Sequence, residues 1–201
     1  EMRIPEAIKK FVYIFSELPG IGPRQAVRLA FYFIHQGLAY ETEVEKSLAN
    51  LKNIKICKQC FYIHENADGL CEICRNPKRN RKIIAIVEKE TDLMSLENTG
   101  NFEGRYLILG DLRKNGVLET QQKLRLQSLK TWIAEQLGGT AEEIVVAINP
   151  STYGDLNTSL ITKEMEGLAL KISKLGRGIP TGGEIEFADD ETLKSALERR
   201  I

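Results

Sequence analysis

The stretch Ile83-Ile84-Ala85-Ile86-Val87-Glu88 is the clearest sign of the fold in this sequence. Five consecutive aliphatic residues are typical of a strand that is covered on both faces, as in a parallel sheet. Two more short apolar runs follow, at Tyr106–Leu109 and Ile144–Ile148. Segments with the apolar spacing of helices alternate with these runs: Thr91–Glu97, Lys123–Leu137 and Thr158–Ile172. The alternation predicts an α/β fold with a small parallel sheet.

Directly before this stretch, four cysteines form two close pairs with ten residues between them, Cys57-Lys-Gln-Cys60 and Cys71-Glu-Ile-Cys74. Two CxxC pairs can supply four thiolates to one tetrahedral ion, the ligand set of structural zinc. A thioredoxin-like redox site would explain one pair and leave the other without a role. We therefore predict one structural Zn²⁺ per chain, bound by Cys57, Cys60, Cys71 and Cys74. A closed four-cysteine shell has no open position for water, so a catalytic zinc is not expected.

The N-terminal part predicts two helices joined by a tight turn. Apolar residues have helical spacing from Ile4 to Leu18 and again to about His35, and between them lies Leu18-Pro-Gly-Ile-Gly-Pro-Arg24. This string is typical of a helix-hairpin-helix, which binds the DNA backbone without reading sequence. Gly20 and Gly22 would let a phosphate approach the unpaired N–H groups at the start of the second helix. Arg24 and Arg28, four residues apart, would each contact a phosphate oxygen.

A plainer interpretation of the same string stays open. Gly and Pro occur at most helix junctions, so the glycines would only end one helix and the arginines would be solvated.

Further helices are predicted at Glu41–Leu51 and Asp189–Arg200, the latter capped by Asp189 or Asp190. The stretch from Gly176 to Gly183 lacks the Gly-Lys-Ser/Thr ending of a phosphate-binding loop and is interpreted as a turn.

Charge is balanced over the chain but not along it. Of 28 basic and 28 acidic side chains, residues 1–86 carry 14 basic and 9 acidic, and residues 87–201 carry 14 basic and 19 acidic. The N-terminal part is therefore better suited to nucleic acid.

No apolar run is long enough to span a bilayer and no secretory signal is apparent, so we expect a cytoplasmic protein. A basic flank after the cysteines would offset the charge of a four-thiolate zinc site, extend a DNA surface, or both: Arg75, Lys78, Arg79, Arg81 and Lys82.

These motifs, in this order, resemble the RecR family of bacterial recombination mediators. Three strings carry the resemblance: residues 18–24 with Arg28-Leu-Ala-Phe31, the cysteine pairs leading to Ile86-Val-Glu88, and Gly178-Ile-Pro-Thr-Gly-Gly-Glu-Ile-Glu-Phe187. The resemblance spans the chain and is weakest over residues 112–142. It implies a helix-hairpin-helix region at 1–56, a four-cysteine zinc finger at 57–78, a Toprim domain at 79–175 and a C-terminal oligomerisation segment at 176–201.

The resemblance also implies a function and partners. RecR proteins are not known as enzymes. They form ring-shaped homotetramers that act with the RecO and RecF proteins to load recombinase onto gapped DNA in recombinational repair. A member would be cytoplasmic and associated with the bacterial nucleoid, with Gly20, Gly22, Arg24 and Arg28 as DNA contacts.

A catalytic Toprim site holds Mg²⁺ with a Glu after its first strand and an Asp-x-Asp pair after a later one. Glu88 fits the first position, whereas Asp155 is the only carboxylate in the later loop, in which Tyr153 replaces the family's usual Glu. Glu88 and Asp155 are therefore predicted to bind Mg²⁺ weakly or to contact a partner. Two other functions stay open: a Toprim-type magnesium-dependent DNA-cleaving or primase enzyme, and a plain interaction module with structural zinc.

Overall fold

The computed structural model describes residues 4–176, 178–198 and 200, and within it the chain divides after Ile54 into two compact units. The first unit contains α1 (Glu6–Phe15), α2 (Pro23–Gln36) and α3 (Leu38–Asn50). The second unit contains β1 (Lys55–Ile56), β2 (Ile63–His64), α4 (Glu72–Arg75), β3 (Ile83–Val87), α5 (Glu90–Asn98), β4 (Arg105–Ile108), α6 (Thr120–Leu137), β5 (Ala141–Ala147), α7 (Thr152–Glu164), β6 (Ala169–Lys174) and α8 (Asp190–Glu198). In the described part of the chain, no helix is both long and apolar enough to cross a bilayer.

The first unit is held together by aromatic side chains. The rings of Phe11 and Phe15, one turn apart on α1, stack with their centres 3.9 Å apart. Phe33 of α2 meets them edge-on, with its ring centre 5.7 Å from that of Phe11. Ala26 and Ala30 are buried on α2, and their small side chains allow the helices to approach closely.

The second unit is built on a four-stranded parallel sheet in the order β4-β3-β5-β6. Alternate residues of the central strand β3 point to opposite faces: Ile84 and Ile86 pack against α6 and α7, and Ala85 and Val87 pack towards α5. Because the crossovers after β3 and β5 lie on opposite faces, the carboxyl ends of these neighbouring strands form a topological switch point, where α/β proteins commonly bind ligands. The predicted α/β fold is confirmed.

One sequence-based boundary is wrong. The apolar spacing over Thr158–Ile172 predicted a single helix, but α7 ends at Glu164 and the strand β6 begins at Ala169. Gly167 lies between them with φ of +79°, a left-handed conformation that ends the helix and turns the chain back to pair with β5. The apolar spacing continued through the turn because Met165 and Leu168 pack in the same core.

The tail contains α8, which begins at Asp190, one residue after Asp189, the first residue of the predicted helix. The carboxylate of Asp189 accepts a hydrogen bond of 2.8 Å from the backbone N–H of Thr192, so Asp189 caps the helix. The predicted turn at Arg177 and the predicted helical residue Arg199 lie outside the described residues.

Candidate metal centre and nucleic-acid interface

The four cysteines meet at one point. Their sulfur atoms all lie within 4.8 Å of one another, and no disulfide joins them. Each pair is shaped by a short turn: Phe61 N–H donates to the carbonyl of Cys57 at 3.1 Å, and Arg75 N–H donates to that of Cys71 at 3.0 Å. Phe61 has a φ of +64°, an uncommon value for a residue with a side chain, which the first turn imposes. Two such turns facing each other bring four sulfurs to the corners of one small site.

The site fits a soft divalent metal. Cys57, Cys60 and Cys71 are buried and Cys74 is half-buried, so the sulfurs are shielded from solvent. Hydrogen bonding from Cys60, and then from Cys71 and Cys74, lowers the pKa of Cys57, which favours a thiolate there. Thiolates clustered in a shielded site are costly unless a cation binds them. The residues present can therefore hold one metal ion in a closed shell.

The cysteine module is joined to the sheet through its backbone and two arginines. Ile108 N–H, on the edge strand β4, donates to the carbonyl of Cys60 at 2.9 Å. Arg105 donates to the side chain of Gln59, inside the first CxxC pair. Arg125 of α6 places its guanidinium 4.8 Å from the ring centre of Phe61 and donates to the carbonyl of Ile108 at 3.0 Å. The module thus lies along the free edge of β4.

Most of the basic flank makes local contacts. Arg79 donates to the carbonyl oxygens of Phe102 (2.7 Å) and Gly104 (3.1 Å) and pairs with Glu97. Arg75 pairs with Asp68 at 3.3 Å, and Lys82 with Glu142 at 3.3 Å. The positive charge that acts on the cysteines comes from elsewhere: hydrogen bonding to Cys57 and Cys71 raises the pKa of Cys74, whereas Cys60 and the charge of Arg105 act to lower it. These contacts support a structural role for the flank more than a continuous DNA surface.

The structure places the predicted hairpin residues at the start of α2. Gly20 has a φ of +77°, which its lack of a side chain permits, and Gly22 directly precedes the helix. A methyl group added at either glycine would meet no atom within 4 Å, so the turn is open to a ligand. Arg24 and Arg28 are exposed one turn apart on α2, and neither has an ion-pair partner in the described part of the chain. The first N–H groups of α2 have no intrahelical acceptors and can bind an anion.

The two candidate carboxylates occupy the expected edge of the sheet but differ in their surroundings. Glu88 follows β3, and its Oε1 accepts a hydrogen bond of 3.0 Å from the N–H of Leu112, in the loop after β4. Asp155 lies in the first turn of α7, where Ser151 caps the helix through the N–H of Gly154. Over residues 4–176, 178–198 and 200, the cysteines form the only close group of three or more His, Cys, Asp or Glu side chains. The single-carboxylate loop therefore builds no acidic cluster.

Comparison with known proteins identifies the family. Residues 82–176 match the Toprim domain model, and residues 178–201 match the model of the RecR C-terminal region. The chain is 33% identical over 200 residues to recombination protein RecR of Chloroflexus aggregans, covering 98% of this chain and 94% of the relative. It is 34% identical over 202 residues to RecR of an Anaeromyxobacter species, covering 99% and 98%.

The chain belongs to the RecR family. The family assignment made from the motifs is therefore confirmed, including its extent along the whole chain. Within this RecR chain, sequence reasoning did not find Arg105 and Arg125 as links between the cysteine module and the sheet. These two links depend on where β4 and α6 lie in three dimensions. The only signal in the sequence is that each arginine lies within an apolar stretch.

Proposed function

We propose that this chain is a non-enzymatic, DNA-binding mediator of recombinational repair that contacts the DNA backbone through Gly20, Gly22, Arg24 and Arg28. The observation that carries the proposal is the open turn at the start of α2, where exposed cations lie beside unpaired N–H groups. Backbone N–H groups and arginines bind phosphate irrespective of base sequence, which suits a protein that acts wherever DNA is damaged. The family name of the relatives, recombination protein, supports the same role.

The oligomer, the partner proteins and the division into regions that we propose follow the family resemblance. The chain forms a ring-like homotetramer through residues 176–201, and the ring acts with RecO and RecF to load recombinase onto gapped DNA in the bacterial cytoplasm. Residues 1–56, 57–78 and 79–175 serve as the helix-hairpin-helix, zinc-finger and Toprim regions. The extent of the family matches over residues 82–176 and 178–201 supports this division.

Zinc is the metal we propose for the four cysteines. A tetrahedral d¹⁰ ion bound by four thiolates supplies cross-linking of the module and no reaction, because no ligand position is open. Cys57, Cys60, Cys71 and Cys74 would hold it, and the cation of Arg105 offsets part of the negative charge of the site. We assign Glu88 and Asp155 at most weak Mg²⁺ binding, since the Leu112 N–H already engages one oxygen of Glu88.

The proposal is tested by measuring molar mass in solution with and without a gapped DNA duplex, over a series of salt concentrations. A tetramer that binds gapped DNA with an affinity that falls steeply with salt is the expected result. A plain interaction module would leave the mass unchanged when DNA is added. A Toprim enzyme would cut or unwind the duplex when Mg²⁺ is present.

A further inference from the structure

The segment 113–130 differs in charge from the unit around it. It carries five basic residues and one acidic residue, whereas residues 87–201 as a whole carry 14 basic and 19 acidic. The five basic residues are Arg113, Lys114, Lys123, Arg125 and Lys130, and the acidic one is Glu119. A local excess of positive charge in an acidic region marks a surface suited to an anionic partner.

The first part of this segment is a loop fixed against α7. Asn157, with 2% of its surface exposed, donates hydrogen bonds to the carbonyl oxygens of Arg113 (3.1 Å) and Tyr153 (2.9 Å). Gly116 lies so close to α7 that an added methyl group would be 3.3 Å from Cβ of Leu156. The ammonium group of Lys114 lies over the ring of Tyr153, 5.9 Å from its centre. The loop is therefore held against α7 and presents the ammonium group of Lys114 beside the Tyr153 ring. Because the loop is already ordered, the entropic cost of binding a ligand there is lower.

Further along, a groove of about 450 Å³ opens between residues 116–118, α6 and α7. Three lysines and one carboxylate line it: Lys123, Lys130, Lys163 and Glu164. A hydrogen bond of 2.7 Å from Lys130, aided by the charges of the other two lysines, lowers the pKa of Glu164. Glu164 forms its ion pair with Lys130. Lys123 and Lys163 have no ion-pair partner within 4 Å among the residues that the structure describes.

Exposed apolar groups lie between these cations. Tyr153 is 48% exposed, and Val117 and Leu156 are each 52% exposed. From Tyr153 to Lys163, α7 rises by about 15 Å at ~1.5 Å per residue. This length is enough for a few successive phosphates of one strand to meet the lysines.

We propose that Lys114, Lys123, Lys163 and Tyr153, called the basic strip below, bind single-stranded nucleic acid. The lysines contact phosphates, and a base stacks on the exposed side of the Tyr153 ring. This inference rests on the proposed DNA-binding function and adds to it a second contact surface in the unit that does not contain the hairpin. An exposed ring between cations is the combination that single-strand sites use, since every base has a flat face and only an unpaired strand offers it. A duplex would use the lysines but not the ring, and an acidic protein segment would not need a fixed aromatic.

The test compares binding of an oligothymidine of about 15 nucleotides by the whole zinc-loaded protein and by a triple variant, Lys114→Gln, Lys123→Gln and Lys163→Gln. We expect at least about tenfold weaker binding near physiological salt and a salt slope shallower by about 2, from ~0.7 per lost phosphate contact on a single strand. The control neutralises two exposed lysines of the same unit that lie outside both the strip and residues 176–201, Lys171→Gln and Lys174→Gln, and should bind like the wild type. The stacking contribution is tested by Tyr153→Leu, with an expected loss of about tenfold, and by Tyr153→Phe, with no loss.

The outcomes distinguish a failure of the basic strip from a failure of the proposed function. If the wild type binds oligothymidine and the triple variant binds it equally well, the basic strip does not bind single strands, while the proposed function stands. If the wild type binds neither duplex nor single strand, the proposed function itself fails. A triple variant that loses duplex binding only, or one that loses a protein partner but keeps oligothymidine binding, overturns the assignment to single strands. Lysine-to-arginine substitutions at the three positions should restore binding, and thermal unfolding identical to the wild type ensures that the loss is local.

Discussion

The guanidinium of Arg105 lies over the indole ring of Trp132, with its central carbon 4.5 Å from the ring centre. Arg105 is only 5% exposed although it carries a charge, and it donates to Gln59 in the first CxxC pair. A buried cation is unfavourable unless its surroundings are negative or polarisable. The cysteine cluster and the face of the indole ring provide both conditions, so Arg105 joins the cysteine module, the edge of the sheet and α6 electrostatically.

Replacing Arg105 with Met should therefore lower the free energy of unfolding by about 1–3 kcal/mol. The substitution keeps much of the side-chain volume but removes the cation–π contact and the hydrogen bond to Gln59. Denaturant unfolding followed by the fluorescence of Trp132, the single tryptophan of the chain, measures the change. Arg81→Met is the control, because Arg81 is exposed and lies 5.6 Å from the same ring, so its loss should cost less than about 0.5 kcal/mol. Equal effects of the two substitutions would contradict this account.

Metal removal should unfold the cysteine module and leave the α/β sheet folded. Elemental analysis is expected to give one zinc per chain, and Cys57→Ser, Cys60→Ser, Cys71→Ser and Cys74→Ser should each lower the zinc content. Amide exchange would then increase first over residues 55–76, because without the metal this segment is held only by the packing of Phe61, Tyr62 and Ile73 against the sheet and by its contacts with β4 and Arg125. Ser128→Ala, on α6, is a neutral control. Full zinc content in all four cysteine variants would contradict the ligand assignment.

Glu88 should behave as a hydrogen-bond acceptor for the loop after β4. Glu88→Gln keeps an acceptor oxygen for the Leu112 N–H and should leave stability nearly unchanged, whereas Glu88→Ala should cost about 1–2 kcal/mol because that N–H loses its partner. Thermal or denaturant unfolding of both variants makes the comparison. A Gln variant as unstable as the Ala variant would show that the negative charge itself is needed, as in a metal or partner contact.

The sequence predicted the meeting of the four cysteines more completely than it predicted the sheet. Four sulfurs of one chemistry at CxxC spacing allow few arrangements, so local geometry alone brought Cys57 and Cys71 together. The strand β6 was missed because Leu168 to Ile172 continue the apolar spacing of α7, and only the left-handed turn at Gly167 separates the two elements. The contact between Arg105 and Trp132 depends on which helix crosses which strand, and no local pattern contains that information.

No magnesium-dependent cleavage or relaxation of DNA is expected. Two-metal chemistry needs several carboxylates around both ions, and the loop after β5 supplies Asp155 alone. Incubation of supercoiled and gapped DNA with the protein and Mg²⁺ or Mn²⁺, followed by electrophoresis, measures the activity. Nicking that disappears in Asp155→Ala would establish the enzymatic alternative, and nicking that persists in it would indicate a contaminating nuclease.

Replacing both Arg24 and Arg28 with Ala should remove most duplex binding while leaving the fold and the oligomer intact. Both side chains are exposed on α2, and the buried residues of that helix, Ala26 and Ala30, lie on its other side. Two lost phosphate contacts should make the slope of log affinity against log salt shallower by about 1.8, from ~0.9 per contact on duplex DNA. In a ring the loss is repeated in every subunit, so the affinity should fall by more than a single site would give.

Sequence preference should stay the same in this double variant, because backbone contacts position a protein without reading bases. Lys9→Ala with Lys10→Ala is a matched control, since it removes two exposed cations of α1 in the same unit. Binding of duplex and gapped DNA is measured by fluorescence anisotropy at several salt concentrations, and oligomeric mass by light scattering. Wild-type affinity and slope in the Arg24 and Arg28 variant would mean that the hairpin only joins two helices. The DNA surface would then lie in the second unit, where the basic strip predicts a stronger effect on single strands than on duplex.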